Sequence, residues 1–337
     1  MNTYNDILVS VVMPVYNGAL YLREAIDSIL SQTHSNLELI IINDGSTDDS
    51  EQIILSYTDK RIVYLKNEVN SRICVTLNRG LDIARGKYIA RMDCDDISVP
   101  ERLLKQLEYL EEHPSFGVIG SDIIVFGKDV KEKLFTFEHD KNICKAGLLF
   151  NTCFAHPAVM MRKNLLDDYN FRYDDSYRGL EDFELWYRMS KHTELVNIPE
   201  PLLHYRKHKS QETQNVSPIV VKKLYEFLSE RVSEYVSLEK DELALVDAYS
   251  RCDWGIFNNE NVFTLLSIFS RIVHSIPVTQ NKNFKRGMKI TLSKAIAFAV
   301  MNSKNVTTSR RMLYSKSLFM GVMPFDWYLK FMYHTFL

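Results

Sequence analysis

Tyr88-Ile89-Ala90-Arg91-Met92-Asp93-Cys94-Asp95-Asp96 is a mostly apolar run that ends in three carboxylates. Such a run indicates a buried strand, and ligands of open α/β sheets bind just beyond the carboxyl ends of buried strands. We therefore expect Asp93 and Asp95 to lie at a ligand site.

Two interpretations of these carboxylates stay open at this point. Side chains two residues apart on extended backbone point to the same side, so their charges repel unless a cation neutralises them. A hard divalent cation with oxygen ligands fits that need. Alternatively, Asp95 and Asp96 cap a following helix, because Ser98, Pro100 and Glu101 are typical of a helix start.

Composition places the chain among ordinary globular proteins. Its 337 residues are 46% hydrophobic, enough for one large domain and a smaller one. Five scattered cysteines without a C-x-x-C pair favour reduced thiols over a disulfide framework or a zinc site. We expect no signal peptide and no membrane span, because no window nears the roughly 20 apolar residues that a span needs.

Strands and helices alternate along the first half of the sequence. The predicted strands are residues 8–13, 37–43, 62–65 and 88–92, and helical spacing of apolar residues occurs around 22–30 and in 71–84. This alternation predicts βαβ units and a doubly wound, mostly parallel α/β sheet. Further on we predict a helix over 101–112, a strand over 118–126, a less regular region to about 155, a short strand over 158–161 and a helix over 180–191.

A polar segment from Arg206 to Pro218 predicts a linker or mobile loop, and helical spacing continues from Val220 to the end. We therefore divide the chain into domains 1–215 and 216–337, the second helical. Neither G-x-G-x-x-G after the first strand nor G-x-x-x-x-G-K-[ST] anywhere is present. Dehydrogenases and P-loop ATPases are thereby disfavoured.

Five short motifs occur in the order VVMPVYN (11–17), INDGSTD (42–48), LNRG (77–80), MDCDDIS (92–98) and EDFELW (181–186). Each is weak alone, but in this combination the chain resembles family 2 of the inverting glycosyltransferases over roughly residues 7–208. The resemblance implies the GT-A fold for a nucleotide-sugar-binding catalytic domain, with the helical region appended at the C-terminus.

The resemblance also implies a nucleotide-binding set. Pro14 and Tyr16 of the first motif would contact the nucleotide, with Tyr16 bordering or stacking on a uracil ring, and Asp44 would accept a hydrogen bond from the base. The alternative for Asp44 is a simple Asp-Gly turn. Arg72 stands where many members have glycine, so it either reaches the diphosphate or reshapes its loop. Asp93 would face the ribose.

The same resemblance implies a metal site for Mn²⁺ or Mg²⁺. Asp95 would ligate the ion and Asp93 would face it, while the ion bridges the diphosphate and neutralises the leaving nucleotide. His208 would complete the metal shell or touch the diphosphate, and its alternative is a solvated loop histidine. Cys94 receives no role.

Asp182 is similar to the general base of the family, which takes the proton of the acceptor hydroxyl in a single inverting displacement. Its alternative is helix capping, a role that Glu181 could also serve. We expect Glu181, His156 and Arg206 to contact the acceptor or the donor sugar, with a structural role as the alternative for His156.

Residues 271–337 carry 11 Lys and Arg but one acidic residue, Asp326. Basic residues of the tail, among them Lys282 and Arg286, alternate with apolar ones such as Met288, as in helices that lie on anionic membranes. The alternative is a helical subdomain packed on the catalytic sheet with a solvated basic face. A nucleic-acid partner is disfavoured because no binding fold is recognisable.

The resemblance, together with the basic tail, implies a metal-dependent inverting transferase of one hexose or N-acetylhexosamine, with a UDP-sugar as donor. The expected acceptor is a lipid-linked O-antigen or capsule precursor, or an oligosaccharide, at the cytoplasmic face of the inner membrane. The Q-x-x-R-W motif of processive synthases is absent, which favours an enzyme that adds one sugar at a time over a polymerase.

Two other functions stay open. A sugar nucleotidyltransferase needs a glycine-rich phosphate loop directly after the first strand, where the chain has Pro14-Val15-Tyr16-Asn17. An inactive nucleotide-binding or scaffolding protein predicts loss of acidic site residues, yet the chain has Asp44, Asp93, Asp95 and Asp182.

Overall fold

The computed structural model describes residues 4–208, 211, 218–251, 253–277 and 282–302. These residues form two units. The first lies within residues 1–139 and 152–216, and the second comprises 140–151 and the described residues from 218 onward. Residues 140–151, which the sequence groups with the first domain, belong to the helical unit because Ala146, Leu149 and Phe150 pack in its core.

A nine-stranded sheet forms the centre of the first unit, within the described residues. Its strands are β1 (Val9–Val15), β2 (Leu37–Asn43), β3 (Ile62–Lys66), β4 (Tyr88–Arg91), β5 (Ile97–Ser98), β6 (Phe116–Gly127), β7 (Val130–Phe135), β8 (Met160–Arg162) and β9 (Glu194–Arg206). The four strands predicted for the first half are confirmed to within two residues at each end.

Helices connect these strands and cover the sheet. They are α1 (Leu22–Leu30), α2 (Ser50–Leu55), α3 (Ile73–Ile83), α4 (Arg102–Glu112), α6 (Lys163–Asp168) and α7 (Glu181–Met189); α5 (Lys141–Gly147) belongs to the second unit. Every residue of β1 and β2 is buried, as expected for parallel strands covered on both faces.

The strand order is β3-β2-β1-β4-β8-β6-β9-β5, with β7 paired to β6. Strands β1 to β4 all run parallel to one another, and β8 pairs with β4 in antiparallel orientation. Strand β9 runs parallel to β6, which itself is antiparallel to β8. The predicted α/β class with appended helices is confirmed.

The region after α4 differs from its prediction in three places. The stretch predicted as less regular contains β7 and α5, and the short strand begins at Met160 because His156–Ala158 form a 3₁₀ turn around Pro157. The sequence analysis assigned no strand to 194–206. Prolines 199 and 201 interrupt the strand pattern there, and shifts in the β6–β9 register between Ser121 and Ile123 accommodate them.

The second unit is helical. It contains α5 together with α8 (Pro218–Ser233), α9 (Lys240–Ser250), α10 (Asn259–Ser275) and α11 (Lys282–Asn302). Helix α5 begins where the Asp140 carboxylate accepts the N–H groups of Asn142 and Ile143, a typical N-cap. Within the described residues, none of the helices combines the length and apolar character that crossing a bilayer requires.

The apolar residues of α11 lie inside this unit. Met288, Leu292 and Ile296 pack in its core, so they are not available for insertion into a bilayer. The prediction that apolar residues of this helix face a membrane is therefore wrong for α11, because their helical spacing comes from packing in the core of the unit. Lys282 and Arg286 are exposed. The basic and aromatic residues from 303 onward lie outside the described residues.

Candidate active site

Three of the predicted site residues follow adjacent parallel strands. Tyr16 comes directly after β1, Asp44 directly after β2 and Asp93 two residues after β4, and β1 pairs with both β2 and β4. Because the strands are parallel, these residues emerge at one edge of the sheet. The topology thus assembles a site from segments that are far apart in the chain.

The acidic loop, residues 92–96, gathers its carboxylates closely. Asp93, Asp95 and Asp96 each offer an oxygen atom, and these atoms lie within 4.8 Å of one another. Asp96 is 1% exposed; its Oδ1 accepts the Arg206 N–H at 2.8 Å, and its Oδ2 is buried without a hydrogen-bond partner in the described part of the chain. Burial and the charges of Asp93 and Asp95 raise the pKa of Asp96.

This donor set fits a divalent cation. Hard carboxylate oxygens are the ligands that Mg²⁺ and Mn²⁺ prefer. A bound cation would neutralise the repulsion among the three carboxylates and give the buried Asp96 Oδ2 a partner. The helix-cap interpretation is wrong, because α4 begins at Arg102 and the acidic loop precedes β5. Sequence reasoning thus missed Asp96 as a candidate ligand by treating it as a cap.

His208 and Arg206 extend from the end of β9 to the acidic loop. The His208 Nε2 lies 2.8 Å from the Asp95 Oδ2. The Arg206 Nε donates to the Asp95 carbonyl oxygen at 2.7 Å and its Nη2 to Glu24 at 2.6 Å, and the side chain is only 11% exposed. The structure therefore places His208 beside a candidate ligand and Arg206 as a positioning residue. The contact of Arg206 with a sugar stays a prediction.

Arg91 is a site residue that the sequence analysis missed. It is 5% exposed at the end of β4 and forms an ion pair with Asp93. Burial alone would lower the pKa of Arg91, but the Asp93 carboxylate raises it further, so the guanidinium stays charged. A signal was present, because a charged residue in a buried strand must be paired.

Cys94 also has a place in the site. A Cβ atom added at Gly18, in the turn after β1, would lie 2.8 Å from the Cys94 Sγ. The thiol is half-buried, and its partial removal from water raises its pKa. Cys94 therefore packs the acidic loop against the turn that carries Tyr16, a contact that no local sequence pattern reveals.

The nucleotide side of the site is organised by Asp44, which is 4% exposed. Its Oδ1 accepts from the Asn67 Nδ2 at 2.6 Å and the Ser71 N–H at 2.8 Å, and its Oδ2 accepts from the Arg72 N–H at 2.9 Å. A carboxylate has about four acceptor positions, so one is left for a ligand. Asp44 is thus more than an Asp-Gly turn.

Tyr16 and Pro14 differ in accessibility. The Tyr16 ring is 50% exposed, so its face is open to a ligand. Pro14 is buried within β1 opposite Ile42, which leaves its pyrrolidine ring inside the sheet. The structure therefore offers Tyr16 for direct nucleotide contact, while a contact of Pro14 stays a prediction.

Three acidic residues lie in the first turn of α7, and two of them, Glu181 and Asp182, are predicted site residues. The Asp182 Oδ1 accepts the Phe183 N–H at 2.7 Å, and Glu181 accepts the Gly179 N–H. Burial raises the pKa of both groups, and with the Asp182 charge it brings the pKa of Glu181 to about 7. Arg91 lowers the pKa of Asp182, so the two residues lie within electrostatic range. Leu180 is the N-cap residue of α7 and, among the described residues, no side chain makes a capping hydrogen bond there, so the structure does not support the capping alternative. Asp182 has the pKa direction of a general base.

His156 faces other protein groups. Its Nε2 lies 2.8 Å from the Tyr173 hydroxyl, and its ring meets Trp186 edge to face. Burial and the Arg91 charge lower the pKa of His156, which keeps the ring neutral at pH 7. These contacts match the structural alternative, and an acceptor contact of His156 stays a prediction.

Known proteins share the sequence of this sheet and its acidic loop. The model of the glycosyl transferase family 2 matches residues 10–169. An uncharacterized glycosyltransferase of Haemophilus influenzae is 37% identical over 216 residues, which are 60% of this chain and 67% of that protein. The putative glycosyltransferase EpsE of Bacillus subtilis is 38% identical over 186 residues, 53% of this chain and 66% of that one. The chain belongs to glycosyltransferase family 2.

Solved structures share the fold. TarS 1–349 of S. aureus in complex with UDP-GlcNAc superposes with a TM-score of 0.57 at 17% identity, over 88% of this chain and 89% of that one. The mannosyltransferase PcManGT from Pyrobaculum calidifontis, in complex with GDP-Man and Mn²⁺, gives 0.51 at 14% identity, over 87% and 86%. The predicted GT-A fold is confirmed.

We predict that Asp96→Asn raises the Tm of the metal-free protein but reduces the Tm gain from added Mn²⁺. Asparagine removes a repelling charge and keeps an acceptor for the Arg206 N–H. A roughly tenfold weaker Mn²⁺ affinity lowers the gain by about 3–6 °C. Thermal unfolding of the full chain measures both effects.

Asp129→Asn, which neutralises an exposed aspartate between β6 and β7, is the matched control. It should leave the Mn²⁺-induced gain unchanged. An Asp96→Asn protein that gains as much Tm from Mn²⁺ as the wild type would show that Asp96 is no part of the metal site.

Proposed function

We propose that this glycosyltransferase transfers one sugar from a UDP-sugar to a hydroxyl group of a lipid-linked polysaccharide precursor, with inversion of the anomeric configuration. The observation that carries the proposal is the electrostatic link between the acidic loop and α7. Arg91 pairs with Asp93, and both residues act on the pKa of Asp182. The candidate metal site and the proposed base thus lie within electrostatic range of each other, which supports a role of both in one reaction.

The metal is proposed to be Mn²⁺ or Mg²⁺. The residues that would hold it are Asp93, Asp95, Asp96 and His208. A bound ion would neutralise negative charge on the donor diphosphate as the nucleotide leaves. The mannosyltransferase PcManGT, which shares the fold, is described with Mn²⁺ and a nucleotide sugar, which supports the proposal.

Asp182 is proposed as the general base. Burial raises its pKa toward the range in which a carboxylate accepts a proton efficiently, while Arg91 favours its ionised form. A single displacement needs one base and one stabilised leaving group, so a nucleophilic carboxylate is not required. Glu181, with a pKa of about 7, is partly protonated near neutrality and can both donate to and accept from a sugar hydroxyl.

The proposed donor base is uracil. The exposed Tyr16 ring offers a stacking face, and Asp44 retains acceptor capacity for a base N–H. Structures of TarS with UDP and UDP-GlcNAc, which have the same fold, support a uridine nucleotide.

The proposed acceptor is an O-antigen or capsule precursor at the cytoplasmic face of the inner membrane. The exposed residues Lys282 and Arg286 lie one turn apart on α11 and would contact anionic headgroups. Because the apolar residues of α11 are buried, this contact is electrostatic, worth about 1 kcal/mol for each basic residue.

We predict that Asp182→Asn lowers turnover about 10²- to 10⁴-fold without weakening UDP binding. The assay is UDP release from a panel of UDP-sugars with Mn²⁺, Mg²⁺ or EDTA, with undecaprenyl-diphosphate-linked GlcNAc or GalNAc as acceptor.

In the wild type we expect kcat/KM to fall as the pH drops through the pKa of Asp182, because the protonated carboxyl group cannot act as a base. This pKa lies above the ordinary aspartate value of about 3.9.

Glu181→Gln is the matched variant, because glutamine keeps an acceptor for the Gly179 N–H. It should retain most of the activity. A larger loss in Glu181→Gln than in Asp182→Asn would move the base to Glu181, and release that persists in EDTA would contradict metal dependence.

For the membrane contact, we predict that the double variant Lys282→Glu/Arg286→Glu binds at least about tenfold less to vesicles containing phosphatidylglycerol. Binding of the full chain is measured by co-sedimentation, with zwitterionic vesicles as the background. The control reverses two exposed lysines of the first unit, Lys60 and Lys128. Equal loss in both double variants, or no loss in either, would refute a contact through α11.

A further inference from the structure

Arg72 has a backbone conformation that is almost confined to glycine. It precedes α3 with φ 72° and ψ 166°. Residues with a Cβ atom avoid this region because it is sterically strained for them. The other non-glycine residues with positive φ in the described part of the chain are Asn17 at 50° and Asn170 at 51°, a residue type that tolerates the left-handed helical region.

The backbone around Arg72 holds this conformation in place. The Arg72 N–H donates to the Asp44 Oδ2 at 2.9 Å and to the Asn70 Oδ1 at 3.0 Å. On the other side of the loop, a Cβ atom at Gly45 would lie 2.7 Å from the Val69 carbonyl carbon, so the two segments are in close contact. Glycine in place of Arg72 would keep these hydrogen bonds and release the strain.

The arginine side chain does not contribute to holding the loop. It is exposed, and the described part of the chain gives its guanidinium no hydrogen bond, ion pair or ring contact. Arg79 shows the contrast, because its guanidinium donates to the Lys66 carbonyl oxygen at 2.7 Å and to the Asn67 Oδ1, which braces the same loop. Folding therefore explains Arg79 and leaves Arg72 without a structural reason.

We propose that Arg72 is a phosphate-binding residue that contacts the diphosphate of the nucleotide donor. This inference rests on the proposed function and assigns one more residue to the same site. A planar guanidinium matches phosphate oxygens with two parallel hydrogen bonds. Asp44, which is proposed to contact the base, also fixes the Arg72 backbone, so base recognition and phosphate recognition depend on one carboxylate.

The test measures Tm and nucleotide affinity of the full chain in the presence of Mn²⁺. Arg72→Gly should raise Tm by about 2–5 °C, because released strain outweighs the extra freedom of glycine in the unfolded chain. The same variant should bind UDP about 10- to 100-fold more weakly, as expected for a lost charge-assisted hydrogen bond. Its affinity for uridine, which lacks phosphates, should not change; ligand-observed NMR measures this weaker binding.

Two further variants separate the side chain from the backbone. Arg72→Ala should lose UDP affinity to the same extent without the gain in Tm, because alanine keeps a Cβ atom. Asn170→Gly, at another exposed position with positive φ, should leave UDP affinity unchanged.

The outcomes distinguish this inference from the proposed function. If the wild type binds UDP and Arg72→Gly binds it equally well, the inference alone is overturned. Equal losses for UDP and uridine would assign Arg72 to the nucleoside and overturn the phosphate contact. A wild type that binds GDP but not UDP corrects the donor base, and the same comparison then uses GDP and guanosine; binding of neither nucleotide overturns both proposals.

Discussion

Mutual repulsion of three carboxylates is the constraint on which the site depends. Asp93, Asp95 and Asp96 lie within 4.8 Å of one another at the end of a buried strand, where water cannot fully screen them. The protein offsets part of this repulsion with the buried Arg91 guanidinium and with the N–H and guanidinium groups of Arg206. The remaining negative charge is what a divalent cation would neutralise.

The parallel strands explain how this loop meets the rest of the site. Segments after β1, β2 and β4 leave the sheet at one edge, so the Tyr16 ring and the Asp44 carboxylate are brought to the same edge as the acidic loop. Asp44 adds a second organising contact, since its two oxygens fix the loop that ends at Arg72. The geometry of the candidate site therefore comes from hydrogen bonds and ion pairs between loops that leave one edge of the sheet.

Much of this architecture could be predicted from local sequence patterns. Strands β1 to β4 follow from apolar runs bounded by turn residues, and the order of the five motifs gave the family. Strand β9 could not be found in this way, because its prolines mask the strand pattern and its pairing with β6 is non-local. The helical spacing of apolar residues in α11 is compatible with a helix on a membrane surface and with a helix packed in a core. Only the contacts in the structure distinguish the two.

Within the site, the roles that local patterns missed depend on distant partners. The local sequence predicts that Asp96 caps a helix, whereas in the structure its carboxylate accepts a hydrogen bond from the backbone of Arg206, 110 residues away. Arg91 becomes a site residue through its ion pair with Asp93, and Cys94 through its contact with Gly18. Such pairings follow from the fold, so sequence reasoning alone identified the motifs but not the groups that hold them.

We propose that the acidic loop holds a cation on the diphosphate of the donor. Electron–nuclear double resonance of Mn²⁺ with the full chain and UDP detects such a contact. We expect a ³¹P hyperfine coupling in the wild type and its loss in Asp95→Ala. Bound Mn²⁺ without ³¹P coupling, or a coupling that persists unchanged in Asp95→Ala, would show that the acidic loop does not hold the ion on the diphosphate.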